Sequence, residues 1–245
     1  MNAPHDWIVP AWPAPARVKS LITTRNGGVS TGAYASFNLG LRTGDDDIAV
    51  RANRRQLRAC LPQEPKWLHQ VHGSRVVEAD NAPDDIEADA SVARRPGTVC
   101  AALIADCMPV LLCTRTGSSV GIAHAGWRGL SSGVLEKAMH AMDAPAGDVL
   151  AWLGPAIGPD AFEVGSDVRD AFLGADPAAD VAFKLLRAGK WHADLFLLAR
   201  RRLASCGVTE IHGGGLCTYR DPARFYSYRR DKTTGRMAAL IWIAP

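Results

Sequence analysis

The chain has 245 residues, 47% hydrophobic and 22% charged, a composition that suits one large globular domain or two small ones with an ample core. A formal net charge of only +3 argues against an extended nucleic-acid surface. No apolar run approaches the roughly 18 residues of a membrane span.

The N-terminal stretch MNAPHDWIVPAWPAPARV lacks a basic start and an apolar segment, so it does not read as a secretion signal. Six irregularly spaced cysteines (Cys60, Cys100, Cys107, Cys113, Cys206 and Cys217) are then expected as reduced thiols or ligands. The chain is read as cytoplasmic.

Residues 4–16, rich in Pro and Ala, predict an extended N-terminal arm over 1–17. No linker divides the rest, so 18–245 is expected as a single catalytic domain. A first strand is predicted over 18–23, ended by Asn26-Gly27-Gly28, and a solvated helix with a basic face over 47–61. Residues 66–70 and 75–78 look like strands broken at His72-Gly73-Ser74, and 98–105 like a buried apolar strand. A hairpin is predicted from 110–114 and 119–124 around Arg115-Thr116-Gly117-Ser118; a Thr116-Gly117 turn sets residue 109 opposite 124. Helical spacing follows over 132–142, then a strand over 149–153. A helix over 194–206 has Asp194 near its N-cap and Gly207 after its end. Closing strands are expected at 208–212 and 237–243. This pattern predicts an α+β fold with mixed or largely antiparallel sheets.

Three possible metal ligands stand in three separate motifs: His72 in HQVHG, Cys107 in ADCMPV and His124 in AHAGWRG. Imidazole and thiolate suit zinc, or copper in a redox site, and three protein ligands leave a fourth position open. The hairpin makes Cys107 a diagonal neighbour of His124, at about 7–8 Å between backbones. His72 needs a contact that local pairing does not supply. His69, three residues away, would face the other side of a strand and is read as a neighbour of the site or as structural.

Cys107 follows Asp106 at the end of an apolar strand, where a carboxylate needs a reason. His124 opens Ala125-Gly126-Trp127-Arg128-Gly129, a strand–turn–helix junction that suits an anion held by Arg128. Trp127 could be core or could stack on a planar base. The stretch CTYRDPARFYSYRRDKTTGR interleaves cations and aromatics, which fits a small phosphorylated or aromatic ligand as well as a surface loop.

SFNLG (36–40), HQVHG (69–73), ADA (88–90), ADCMPVLL (105–112), AHAGWRG (123–129), GPAIGPDAFEVG (154–165), GGGLCTY (213–219) and YSYRRDKTTGR (226–236) occur in this order. Together they resemble the bacterial laccase-domain family, also called multicopper polyphenol oxidases and described as purine nucleoside phosphorylases with adenosine deaminase activity. The resemblance runs from about residue 18 to 243. It implies a layered α/β/β/α sandwich resembling cytotoxic necrotizing factor-like putative cysteine hydrolases, with zinc on His72, Cys107 and His124. The implied partners are a purine nucleoside and phosphate; charge and hydropathy predict no nucleic acid or membrane partner, and a monomer or weak homodimer is expected. Asp160, Tyr226, Lys232 and Arg42 depart from the usual motifs and bear on substrate preference.

Asn38, Arg128 and Arg229 are the candidate substrate- and phosphate-binding residues. Asp106 and Asp89 are candidates for moving a proton, and Cys107 for direct catalysis. Phosphorolysis requires phosphate to attack C1′ of ribose while the purine leaves; deamination requires attack on C6 of adenine. Three other readings remain open. Cys107 with His124 would serve an amide hydrolase, as in relatives described as peptidoglycan editing factors. A four-copper oxidase needs many histidines, and the chain has seven. A closed, non-catalytic zinc module would take Cys217 as fourth ligand.

Overall fold

Residues 1–5 of the predicted arm lie outside the described residues of the computed structural model, which are 6–245. The rest of the arm is anchored. Ile8 exchanges two backbone hydrogen bonds of 2.9 Å with Ile22, and Trp7 is buried.

The elements run β1 (Val18–Ile22), α1 (Asp47–Arg58), β2 (Val76–Glu78), β3 (Ala90–Ala93), β4 (Val99–Ile104), β5 (Met108–Thr114) and β6 (Val120–Ala125). Then come α2 (Trp127–Ser131), α3 (Val134–Ala141), β7 (Val149–Leu153), β8 (Glu163–Gly165), α4 (Ser166–Leu173), β9 (Phe183–Arg187) and β10 (Lys190–Ala193). The chain closes with α5 (Leu195–Ser205), β11 (Glu210–Gly213), α6 (Tyr228–Asp231) and β12 (Met237–Ile243).

Among the described residues three sheets result, in the orders β1-β12-β4, β8-β10-β9 and β11-β7-β5-β6-β3-β2. Among the strand pairs of the described residues only β11–β7 and β2–β3 are parallel, so the fold is α+β with mixed, largely antiparallel sheets. Strand alternation explains how two sheets stack. Cys100, Ala102 and Ile104 of β4 and Met237, Ala239 and Ile241 of β12 face Leu111, Cys113 and Ile122 of the six-stranded sheet. The intervening residues Val99, Ala101, Ala238, Leu240 and Trp242 face the other way, onto Leu57 of α1. Val110, Leu112 and Ala123, on the far side of the six-stranded sheet, pack against α3 and α5. The layer order is therefore helix, sheet, sheet, helices.

The predicted hairpin forms with Pro109 opposite His124. Asp194 accepts a hydrogen bond from Leu197 N–H at 3.0 Å as the N-cap of α5. Three expectations need correction. The helix over 132–142 starts at Val134, because Gly133 at φ +84° breaks it from α2. The basic helix α1 is not simply solvated: Val50, Asn53 and Leu57 are buried, and Arg54 stacks 4.1 Å from the centre of Trp67. Residues 66–70 form no strand. They make single bridges (Lys66 to Cys100, His69 to Glu87), and the Gln70 amide pairs with both backbone groups of Leu103 at 2.7 and 2.9 Å. A side chain there does the work of a ladder.

Candidate metal centre and its cavity

The centre lies where three chain turns meet. Between β4 and β5 the backbone reverses through Asp106, at φ +95°. Its carboxylate accepts hydrogen bonds from Thr218 Oγ1 at 2.6 Å and from Arg229 N–H at 2.7 Å. Its carbonyl accepts from Ile157 N–H at 2.9 Å. That is why a carboxylate sits at the end of an apolar strand: it locks the turn that presents Cys107. Expected to move a proton, Asp106 has both oxygens engaged, although it lines the cavity.

Asp89 supplies the contact missing for His72. Its side chain accepts from the backbone N–H of Val71 (3.2 Å), His72 (2.9 Å) and Gly73 (2.6 Å). The same carboxylate lies 2.9 Å from Nδ1 of His124, and the Asp89 carbonyl accepts from His124 N–H at 2.7 Å. One buried acid therefore pins the loop carrying His72, whose own φ is +60°, and orients the imidazole of His124. At 1% exposure it is not among the residues lining the cavity described below, and its hydrogen bonds give it a positioning task.

The donor atoms of His72, Cys107 and His124 all lie within 4.8 Å of one another. The two imidazoles meet edge to face, 4.9 Å between centres. Among the described residues no fourth metal-ligating side chain joins this group. Cys217, which a closed site would need, instead accepts a hydrogen bond from Gly158 N–H at 3.2 Å. With Nδ1 of His124 committed to Asp89, Nε2 is the nitrogen left for an ion, the arrangement usual for ligating histidines.

The electrostatics suit a cation. Burial pushes the Cys107 thiol up, but the charge and hydrogen bonds of His124 and His72 outweigh it and bring it down to about 6. Burial likewise opposes protonation of His124, but Cys107 and Asp89 raise it to about 9. Cys100 and Cys113, with no such neighbours, are both pushed up by burial to about 12. A His–Cys–His group with a preformed thiolate could bind a metal.

Close approach demands both glycines of AHAGWRG. A Cβ at Gly126 would meet Cys107 Sγ at 2.6 Å and His72 Cδ2 at 3.4 Å; one at Gly129 would meet Gly73 O at 2.7 Å. Gly126→Ala is expected to displace the Cys107 sulfur and weaken metal binding by at least about tenfold, with a loss of stability near 1 kcal/mol. Competition with a chelating dye, run beside a thermal melt, measures both.

The cluster forms part of the lining of a cavity of about 1050 Å³, at the upper end for small-molecule sites, typically about 300–1000 Å³. Arg128 and Arg229 line it as expected, as does His69. Asn38 does not reach it: the residue is fully buried, holding Thr43 and Asp45 through Nδ2 at 2.9 Å. Arg236 also lines the cavity and was not singled out from the sequence. Burial lowers its pKa, opposed by the negative charges of Cys107 and Asp106. Its signal was present as the last residue of YSYRRDKTTGR, where it passed for one cation in a basic loop.

The fold and the site define a layered α+β protein with a three-donor group able to hold a metal beside an arginine-lined cavity. The chain belongs to the multi-copper polyphenol oxidoreductase laccase family, whose family model matches residues 19–244. It is 52% identical over 244 residues to a protein of Pseudomonas aeruginosa named purine nucleoside phosphorylase, covering 99% of each chain. It is also 52% identical over 239 residues to purine nucleoside phosphorylase YfiH of Escherichia coli, covering 96% of this chain and 98% of that one. A crystal structure of a Neisseria meningitidis protein matches at TM-score 0.94 and 50% identity, covering 98% of this chain and 100% of that one. YlmD from Geobacillus stearothermophilus matches at 0.90 and 30%, covering 100% and 98%.

Proposed function

We propose that residues 18–245 act as a zinc-dependent purine nucleoside phosphorylase with adenosine deaminase activity, taking adenosine, inosine, guanosine or methylthioadenosine. The observation that carries the reading is 52% identity across 99% of a relative bearing the phosphorylase name. The three-donor group supports zinc, with His72, Cys107 and His124 as ligands. Against four-copper chemistry stands the single such group found among the described residues. When bound, zinc supplies a Lewis-acid centre within the cavity.

The chain's own residues account for the rest. Phosphorolysis forms a bond from phosphate oxygen to C1′ as the bond from C1′ to the purine nitrogen breaks, and the base departs with the bonding electrons. Arg128 and Arg229 offset the charge of the phosphate, and the walls of the cavity hold nucleoside and phosphate together. Asp106 and Asp89 keep the turns in place.

One observation favours a second reading: the Cys107 sulfur lies beside His124, which lowers the thiol pKa while its own is raised, the apparatus of a nucleophilic amide hydrolase. Product analysis separates the two. Metal-loaded protein given inosine is expected to form hypoxanthine and ribose 1-phosphate only when phosphate is present, and given adenosine to form inosine as well. Phosphate-independent release of free ribose would sink the phosphorylase reading.

A further inference from the structure

Of the six arginines lining the cavity, Arg42 and Arg51 face Asp85 and Asp47. Arg229 and Arg236, beside the metal-binding group, have no carboxylate in ion-pairing range among the described residues. Arg229 donates Nη1 to Glu163 O at 2.8 Å and sits 5.3 Å from the Phe162 ring centre. Arg236 donates Nη1 to Thr234 O and Gly235 O at 2.9 and 3.0 Å. In both, Nε and Nη2 find no acceptor among the described residues. Arg128 differs: it is exposed and lies 4.5 Å over Trp127.

Both are half-buried, and a partly desolvated guanidinium lacking an anion favours a ligand that brings the charge. Two of them in one cavity present donor edges suited to a tetrahedral oxyanion. Asn38 completes the arrangement from behind. Its Oδ1 accepts from Arg236 N–H at 2.8 Å and from Gly40 N–H at 3.0 Å, and a Cβ on Gly40 would strike the Arg236 side chain at 2.9 Å. The Arg236 stem is thus held in one place before any ligand arrives.

We infer that Arg229 and Arg236 seat the phosphate that attacks the nucleoside, with Asn38 as the positioning residue for Arg236. The inference rests on the phosphorolysis reading and specifies its second substrate site. Arg128, exposed and stacked on Trp127, adds positive charge to the lining without a contact in the seat itself.

Inorganic phosphate is the probe, used both as the varied substrate with inosine and in calorimetric titration without nucleoside. Arg236→Gln is expected to raise the phosphate KM and Kd at least about tenfold and to move the inosine KM less than about twofold. Arg236→Lys should fall between, since a point charge keeps the attraction and loses the fork. Asn38→Ser should raise the phosphate KM with the inosine KM nearly constant, a split that general loosening of the fold would not give. A rise in the inosine KM alone, or unchanged phosphate binding in Arg236→Gln, overturns the assignment. Adenosine 5′-monophosphate separates free phosphate from a phosphate ester: if Arg236→Gln loses the nucleotide but keeps inorganic phosphate, the seat belongs to the ester and the inference fails. If wild-type protein makes no ribose 1-phosphate, the phosphorylase reading fails, while the calorimetric titration still decides the anion seat.

Discussion

Cys107→Ala is expected to lose its metal and to lower kcat/KM by at least about 10³-fold, a few kcal/mol of transition-state stabilisation. The reason is geometric. With donor atoms no more than 4.8 Å apart and no fourth protein ligand in the group among the described residues, removal of one leaves two imidazoles, too few to hold zinc tightly. The thiolate is also the only negatively charged member, and its low pKa makes it available at neutral pH. Metal analysis of the purified variant, set beside turnover, tests this. Normal turnover in a metal-free Cys107→Ala protein would remove the metal from the mechanism altogether. Cysteine nucleophile chemistry predicts a different outcome: there the metal-stripped wild type keeps its activity and only the variant loses it.

Asp89→Ala should have the largest effect on stability. It strands three backbone N–H groups and the Nδ1–H of His124 around a buried void, a loss of about 3–5 kcal/mol. Asp89→Asn keeps one carbonyl oxygen and should cost less, but the amide cannot orient His124 equally well, so metal affinity should still fall about 10–100-fold. The acid also sets a pH dependence. Burial raises the Asp89 pKa, but the hydrogen bond and charge of His124 and the N–H groups of Gly73 and Val71 prevail and hold it below 3.8. A carboxyl depressed in the folded state stabilises above its unfolded pKa and loses that contribution as the pH falls through the folded value. Wild-type protein should therefore lose stability more steeply than Asp89→Asn below about pH 3.8. Parallel melting curves from pH 6 downwards would show it, and equal slopes would count against the role.

What the sequence could reveal divides along the range of the interactions. The pairing of Pro109 with His124 was legible because a glycine-containing turn fixes it within a few residues. Helix α5 was legible because an N-cap acid, an apolar face and a following glycine agree. Strands β3, β8 and β10 span only three or four residues, too few for alternation to stand out, and Ala90–Ala93 contributes mostly small side chains. The break at His72-Gly73 was visible as a break, but its cause, a carboxylate 16 positions beyond Gly73, was not. Asp89 and Asp106 read as reagents because carboxylates near metal ligands often are; the hydrogen bonds by which they also fasten the turns are long-range and leave no mark in the sequence. The network around Asn38 was equally hidden, since a polar residue in a motif signals a ligand or a buried network equally well.

Sharing a single carboxylate between the backbone of one histidine and the ring of another has an outcome for anyone redesigning the centre. His72 and His124 are not independent variables: replacing Asp89 disturbs one through its loop and the other through its ring. A graft of the three donors onto another scaffold, copying their positions alone, would leave both histidines free to swing. The smallest transplantable unit has four residues, and the fourth never meets the ion.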